Sequence, residues 1–96
     1  MNNYNSRALS DAINDLVAKL GWEEKLVLSE IIINWKSIIG ENMFDVVTPK
    51  NLENGVLHLT TESSVWRSEL LIRKNQIVDK INGFIGKESI KDLIIR

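Results

Sequence analysis

The dipeptide Asn54-Gly55 constrains this chain more than any other pair of residues. Both central positions of a two-residue type I′ hairpin need φ > 0, and Asn-Gly meets that demand best. The runs on either side can pair across it. Residues 46–52 read as one strand, and Val56, Leu57, His58, Leu59, Thr60 and Thr61 alternate as a second. Pro49 withholds a ladder donor, so the first strand is expected at a sheet edge. In the second, Leu57, Leu59 and Thr61 face one way, while Val56, His58 and Thr60 face the other, the pattern of a sheet covered on one side. Two residues later Ser63 and Ser64 can cap a helix. A hairpin that feeds straight into a helix is the hinge of an α+β domain.

Two helices are expected before the hairpin. Leu9, Ile13, Leu16 and Leu20 recur at spacings of four, three and four, a narrow stripe that packs against one neighbour. Gly21 can stop that helix. A second is predicted over 22–39, with Glu23 and Glu24 in a first turn that favours acids. Its main stripe is Leu28, Ile31, Ile32, Trp35, Ile38 and Ile39, and a second facet carries Trp22, Leu26 and Ile33. A helix apolar on two sides must be covered twice, which places it between the sheet and the first helix. The competing reading leaves the facet of Trp22, Leu26 and Ile33 open for self-association.

After Ser63-Ser64 a third long helix is predicted to about Asn82, closed by Gly83 or Gly86. Trp66, Leu70, Leu71, Ile77, Val78, Ile81 and Phe84 or Ile85 share one arc, but Arg67 and Lys74 fall inside it. Either their aliphatic stems snorkel to water, the expectation preferred here, or the helix bends near residues 73–75 and turns the charges outward. Residues 90–95 read as a last strand, and the adjacent apolar Leu93, Ile94 and Ile95 suggest a central one. The order is helix, helix, strand, strand, helix, strand. It describes a single domain over 1–96, with a small three-stranded sheet packed on helices in two layers.

Composition excludes several chemistries. The 96 residues include no cysteine, which removes disulfides, thiolate metal sites and cysteine nucleophiles and suits a reducing, cytoplasmic setting. One histidine, His58, supports neither a zinc set nor a catalytic triad. Carboxylates at Glu23-Glu24 and at Asp11 and Asp15 fall on polar helix faces. No cofactor and no enzymatic activity are expected, and the apolar runs are too short to span a membrane. The net charge of −1 hides an asymmetry: residues 1–62 carry five Lys/Arg against nine Asp/Glu, and residues 63–96 carry seven against four. Arg67, Arg73, Lys74, Lys80 and Lys87 concentrate this positive charge and are candidate contacts for an acidic partner or for phosphates. Trp66 is either a core side chain closing the helix onto the hairpin or a half-exposed aromatic anchor. Gly83-Phe84-Ile85-Gly86 spells the G-x-x-G of KH domains, but its apolar centre and its place after the helix read as a helix terminator.

Taken in order, Trp35-Lys36-Ser37-Ile38-Ile39-Gly40, Thr48-Pro49, Asn54-Gly55-Val56-Leu57 and Ser63-Ser64-Val65-Trp66-Arg67-Ser68-Glu69-Leu70 resemble the DciA family of bacterial replicative-helicase loaders. The similarity runs on through Lys74, Ile77 and Ile81-Asn82 to Gly86. The resemblance implies a KH-like fold, contact with a DnaB-type helicase and, in some members, binding to single-stranded or forked DNA. It points to Trp66, Arg67 and Lys74 as contact positions and to Trp35 and Gly40 as structural ones. A KH-like module that binds RNA or single-stranded DNA directly is the alternative.

Overall fold

The computed structural model describes residues 21–96, together with positions 9, 11–13 and 15. Those five isolated positions are helical; the rest of the expected first helix, Leu16 and Leu20 included, lies outside the described residues. From Gly21 onward the elements are α1 (Trp22–Ile33), α2 (Trp35–Ile39), α3 (Glu41–Phe44), β1 (Thr48–Glu53), β2 (Val56–Thr60), α4 (Ser64–Ile72), α5 (Lys74–Ile85) and β3 (Asp92–Ile95). This is the expected α+β arrangement, and its order is consistent with a KH-like domain.

The helix predicted over 22–39 is divided at Asn34. Its side-chain amide donates to the Glu30 carbonyl at 2.9 Å, sharing an acceptor that its own backbone N–H already uses at 3.1 Å. Such local competition disfavours a straight helix. Beyond the bend, Trp35, Ile38 and Ile39 all enter the core. The Trp35 indole Nε1–H donates to the Val47 carbonyl at 2.7 Å, so the largest buried side chain of this corner leaves no polar atom orphaned. Gly40 (φ 94°, ψ 162°) then reverses the chain into α3, a conformation that L side chains rarely adopt.

The sheet order is β1-β2-β3. β1 and β2 are antiparallel across a two-residue turn, with Glu53 opposite Val56 and Leu52 opposite Leu57. Asn54 (φ 54°) and Gly55 (φ 80°) hold the two positive φ values that the sequence demands. The ladder slips between Pro49 and Asn51, so the edge strand carries a bulge beside its proline. β3 lies parallel to β2, with Leu57 opposite Leu93. The expectation that β3 is central is wrong: β2 is the central strand, and β3 is the second edge, with Ile94 exposed. A parallel neighbour must be reached by a crossover, which α4 and α5 provide.

Leu57, Leu59 and Thr61 are buried, as their alternation predicts, and Leu57 and Leu59 meet Val27, Ile31, Trp35, Leu70, Ile77, Ile81 and Leu93 in one core. Helix α1 is covered on one side, by the face of Val27 and Ile31. Trp22, Leu26, Ile32 and Ile33 are exposed, so Ile32 is lost from the predicted stripe, and the second facet is not sandwiched.

Three polar groups, the Glu24 carboxylate, the Gly55 carbonyl and the Asn82 amide, tie the elements together. The Glu24 carboxylate accepts from the Asn54 N–H at 3.1 Å and the Gly55 N–H at 2.8 Å, which ties α1 to the hairpin turn. The Gly55 carbonyl in turn accepts from the Lys91 N–H at 2.7 Å, where the chain enters β3. Asn82 accepts from the N–H groups of Ser89 (3.0 Å) and Ile90 (2.8 Å) and donates to the Ile90 carbonyl (2.8 Å). That one side chain organises the loop between α5 and β3.

Candidate functional site

The candidate contact residues belong to α4, to α5, to the junction at Arg73 between them and to the turn after α5. Ser63 caps α4: its Oγ accepts from the Trp66 N–H at 3.2 Å, while its own N–H donates to Thr61 Oγ1 at 3.2 Å. The helix ends at Arg73 (φ −95°, ψ 11°), and α5 starts at Lys74. The single long helix predicted to Asn82 is therefore two, and the preferred snorkelling of Arg67 and Lys74 gives way to the bend. Gly86 (φ 89°) closes α5, so Gly83-Phe84-Ile85-Gly86 is a helix terminator. The junction between the two helices is at Arg73 and carries no glycine.

The bend separates the cations. Arg67 is half-buried, and its Nη2 donates to the Thr61 carbonyl at 2.9 Å, pinning the start of α4 to the end of the sheet. Arg73 pairs with Glu69 at 2.9 Å, the i,i+4 pair that the sequence suggests. Lys74 reaches Asp92 at the start of β3, at 3.1 Å. This hydrogen bond, helped by the Leu93 N–H, holds the Asp92 carboxyl below its usual value. Lys87 pairs with Glu23 of α1 at 3.1 Å. Lys80 is exposed and has no carboxylate partner among the described residues. Trp66 is half-buried and packs against the core, so it joins helix to hairpin while keeping part of its ring accessible.

Arg73 and Lys80 come together on the rim of an open groove of about 430 Å³. Its lining adds Ile39, Met43 and Ile77 as an apolar floor, with Gln76 and Asp79 beside the cations. Trp66, Arg67, Lys74 and Lys87 do not line this groove. The sequence reading missed the contribution of Ile39 and Met43, because they come from α2 and α3, far from the basic stretch in sequence. Exposed Val65, Leu71 and Ile72 also went unnoticed as a surface, since helical periodicity continued through Arg73 places Leu71 in the core arc.

No group of three His, Cys, Asp or Glu side chains able to hold a metal occurs among the described residues. Nor is any described helix long and apolar enough to cross a membrane. What the surface offers is an apolar groove with a cationic rim, and cations mostly held by carboxylates.

The sequence matches the family described as Dna[CI] antecedent, DciA, over residues 8–95. The chain belongs to the DciA family. A UPF0232 protein of Mycobacterium leprae (strain Br4923) is 32% identical over 87 residues, which cover 91% of this chain and 46% of that protein. A UPF0232 protein of Mycolicibacterium smegmatis is 31% identical over 78 residues, 81% of this chain and 40% of that one. One from Mycobacterium tuberculosis is 28% identical over 87 residues, again 91% and 46%. This DciA-family chain thus spans less than half the length of the curated relatives it matches. The match covers every element from α1 to β3, including the Ser63 cap and the Arg73 junction.

Proposed function

We propose that this DciA-family domain is a non-enzymatic adaptor that binds a DnaB-type replicative helicase and assists its loading on single-stranded DNA in the bacterial cytoplasm. Family membership across residues 8–95 is the observation that carries this reading. In this reading the contact positions are spread over α4, α5 and the turn after them: half-buried Trp66 as an aromatic anchor, with Arg67, Arg73, Lys74, Lys80 and Lys87 as separate cationic contacts. Aromatic and arginine side chains at such positions are common interface hot spots. Ion pairs exposed to solvent are weak, so the carboxylates that hold Arg73, Lys74 and Lys87 can be exchanged for those of a partner at little cost.

Direct capture of RNA or single-stranded DNA is the weaker reading, because a chain of net charge −1 offers a polyanion no overall attraction. Co-purification with the helicase of the same organism tests the proposal. Association at micromolar concentrations is expected, weakened by Trp66→Ala and by the triple replacement of Arg67, Arg73 and Lys74 with alanine. A complex unaffected by both variants would remove this surface from consideration, and no complex at all would overturn the adaptor reading.

A further inference from the structure

The turn that fixes the hairpin is also a place where the chain can modify itself. In an Asn-Gly pair the glycine amide nitrogen can attack the asparagine side-chain carbonyl carbon, because no Cβ on the glycine obstructs the approach. The sequence contains two such pairs, Asn54-Gly55 and Asn82-Gly83. The fold treats them differently. Asn82 is held at both polar side-chain atoms, by Ser89 and Ile90, and Gly83 lies inside α5. Asn54 is exposed, and it is bonded to Glu24 through its backbone N–H and not through its side chain.

At Asn54-Gly55 it is the nucleophile that the fold restrains. The Gly55 N–H donates to Glu24 Oε2 at 2.8 Å and the Gly55 carbonyl accepts from the Lys91 N–H at 2.7 Å, so both ends of this buried residue are held. Attack requires an amide nitrogen stripped of its proton, and a carboxylate is far too weak a base to take it. At this distance Glu24 instead opposes the amide anion by like-charge repulsion. Ring closure also needs rotation about the Asn54 Cα–C bond, away from the ψ of about +30° that a type I′ turn holds at its first central residue. Asn54 at φ 54° and Gly55 at φ 80° occupy that turn, and Glu24 binds both of its amides.

We propose that Asn54-Gly55 is a deamidation site gated by the Glu24 carboxylate. When the clamp opens, the Gly55 nitrogen bonds to Asn54 Cγ, the Cγ–Nδ2 bond breaks, and ammonia leaves with the proton of the Gly55 N–H. The succinimide so formed takes up one water. Opening at one carbonyl leaves an aspartate on the residue that Glu24 binds, which sets two carboxylates against each other. Opening at the other leaves isoaspartate, which adds one carbon to the backbone of the turn. Either product weakens the clamp and loosens α1 from the hairpin.

Incubation of the full chain in mildly alkaline buffer, followed by peptide mapping with mass spectrometry and isoaspartate labelling, tests this, with Asn82-Gly83 as a reference inside the same molecule. Asn54 of the folded wild type should convert at least about tenfold more slowly than in the urea-unfolded chain, since only the opened fraction reacts. Glu24→Ala should raise the rate at Asn54 about tenfold, the factor expected from losing hydrogen bonds to a charged acceptor, and leave Asn82 unchanged. Global unfolding would instead accelerate both pairs together. Modified chain, separated by its added negative charge, should unfold at lower urea than the parent. A Glu24→Ala rate equal to wild type, equal acceleration at Asn54 and Asn82, a folded wild-type rate equal to the unfolded one, or a modified chain as stable as the parent would each overturn the proposal.

Discussion

The hairpin turn at Asn54-Gly55 and the helix junction at Arg73 both redirect the chain within one or two residues, yet they are held in opposite ways. At the hairpin, polar groups from three separate elements converge: the Glu24 carboxylate, the two turn amides and the Lys91 N–H that reaches the Gly55 carbonyl. At Arg73 the polar groups point outward, and the charges are held by exposed pairs with Glu69 and Asp92. The first arrangement fixes how the layers meet. The second leaves cations that are ordered but cheap to release, as the proposed exchange of these carboxylates for a partner's would require. In this domain buried and partly buried polar contacts hold the hairpin end, and exposed ion pairs hold the helix junction.

Substitutions can break this contrast, and the largest effect, which sets the scale for the rest, should come from the core at the start of β1. Trp35→Ala removes a buried ring and its bond to Val47 and should cost about 3–5 kcal/mol in chemical denaturation. Glu24→Ala leaves both turn amides without their acceptor, and a loss of about 1–3 kcal/mol is expected in the same assay. Gly55→Val forces a β-branched residue to a φ of 80° beside the Lys91 side chain, at about 1–2 kcal/mol. If these variants proved as mild as those at Arg73, the division of labour would be wrong.

The junction should respond weakly. Glu69→Ala removes an exposed i,i+4 pair and should change stability by only about 0.3–0.5 kcal/mol, while leaving Arg73 free for a partner. Lys74→Met sharpens the point through pH. Asp92 has a lowered carboxyl pKa in the folded chain, so its pairing stabilises the fold above the unfolded value and is lost as pH falls through the folded one. Melting temperatures of Lys74→Met and the parent should differ slightly at neutral pH and converge in acid. A gap that persisted in acid would assign Lys74 a packing role instead.

Much of the fold is legible in the sequence where one local rule acts alone. The Asn-Gly turn, the alternation of Leu57, Leu59 and Thr61, the Ser63 cap and the Gly86 terminator all stand where expected. The misreadings occur where a longer pattern meets a local breaker. Hydrophobic periodicity continues through Asn34 and Arg73, so each pair of helices reads as one, and the faces beyond each bend are misplaced. Ile32 and Leu71 fall into predicted core stripes but are exposed. The candidate site suffered more, because Arg67, Arg73, Lys74, Lys80 and Lys87 form a cluster in sequence that the bend and three separate carboxylates divide in space.

The sequence by itself determined the element types, the hairpin register, the sheet face that is buried and the family to which the chain belongs. These depend on backbone preferences and on side-chain periods of two and 3.6 residues, which neighbours in sequence set. Only the tertiary structure decided that β2 is the central strand, that α1 keeps one apolar face open, and that Arg73, Lys74 and Lys87 are paired with carboxylates. Strand order, exposure and charge pairing are contacts between residues far apart in the chain. Glu24 reaches Asn54 and Gly55, Lys87 reaches Glu23, and no local pattern encodes which distant group will be within reach.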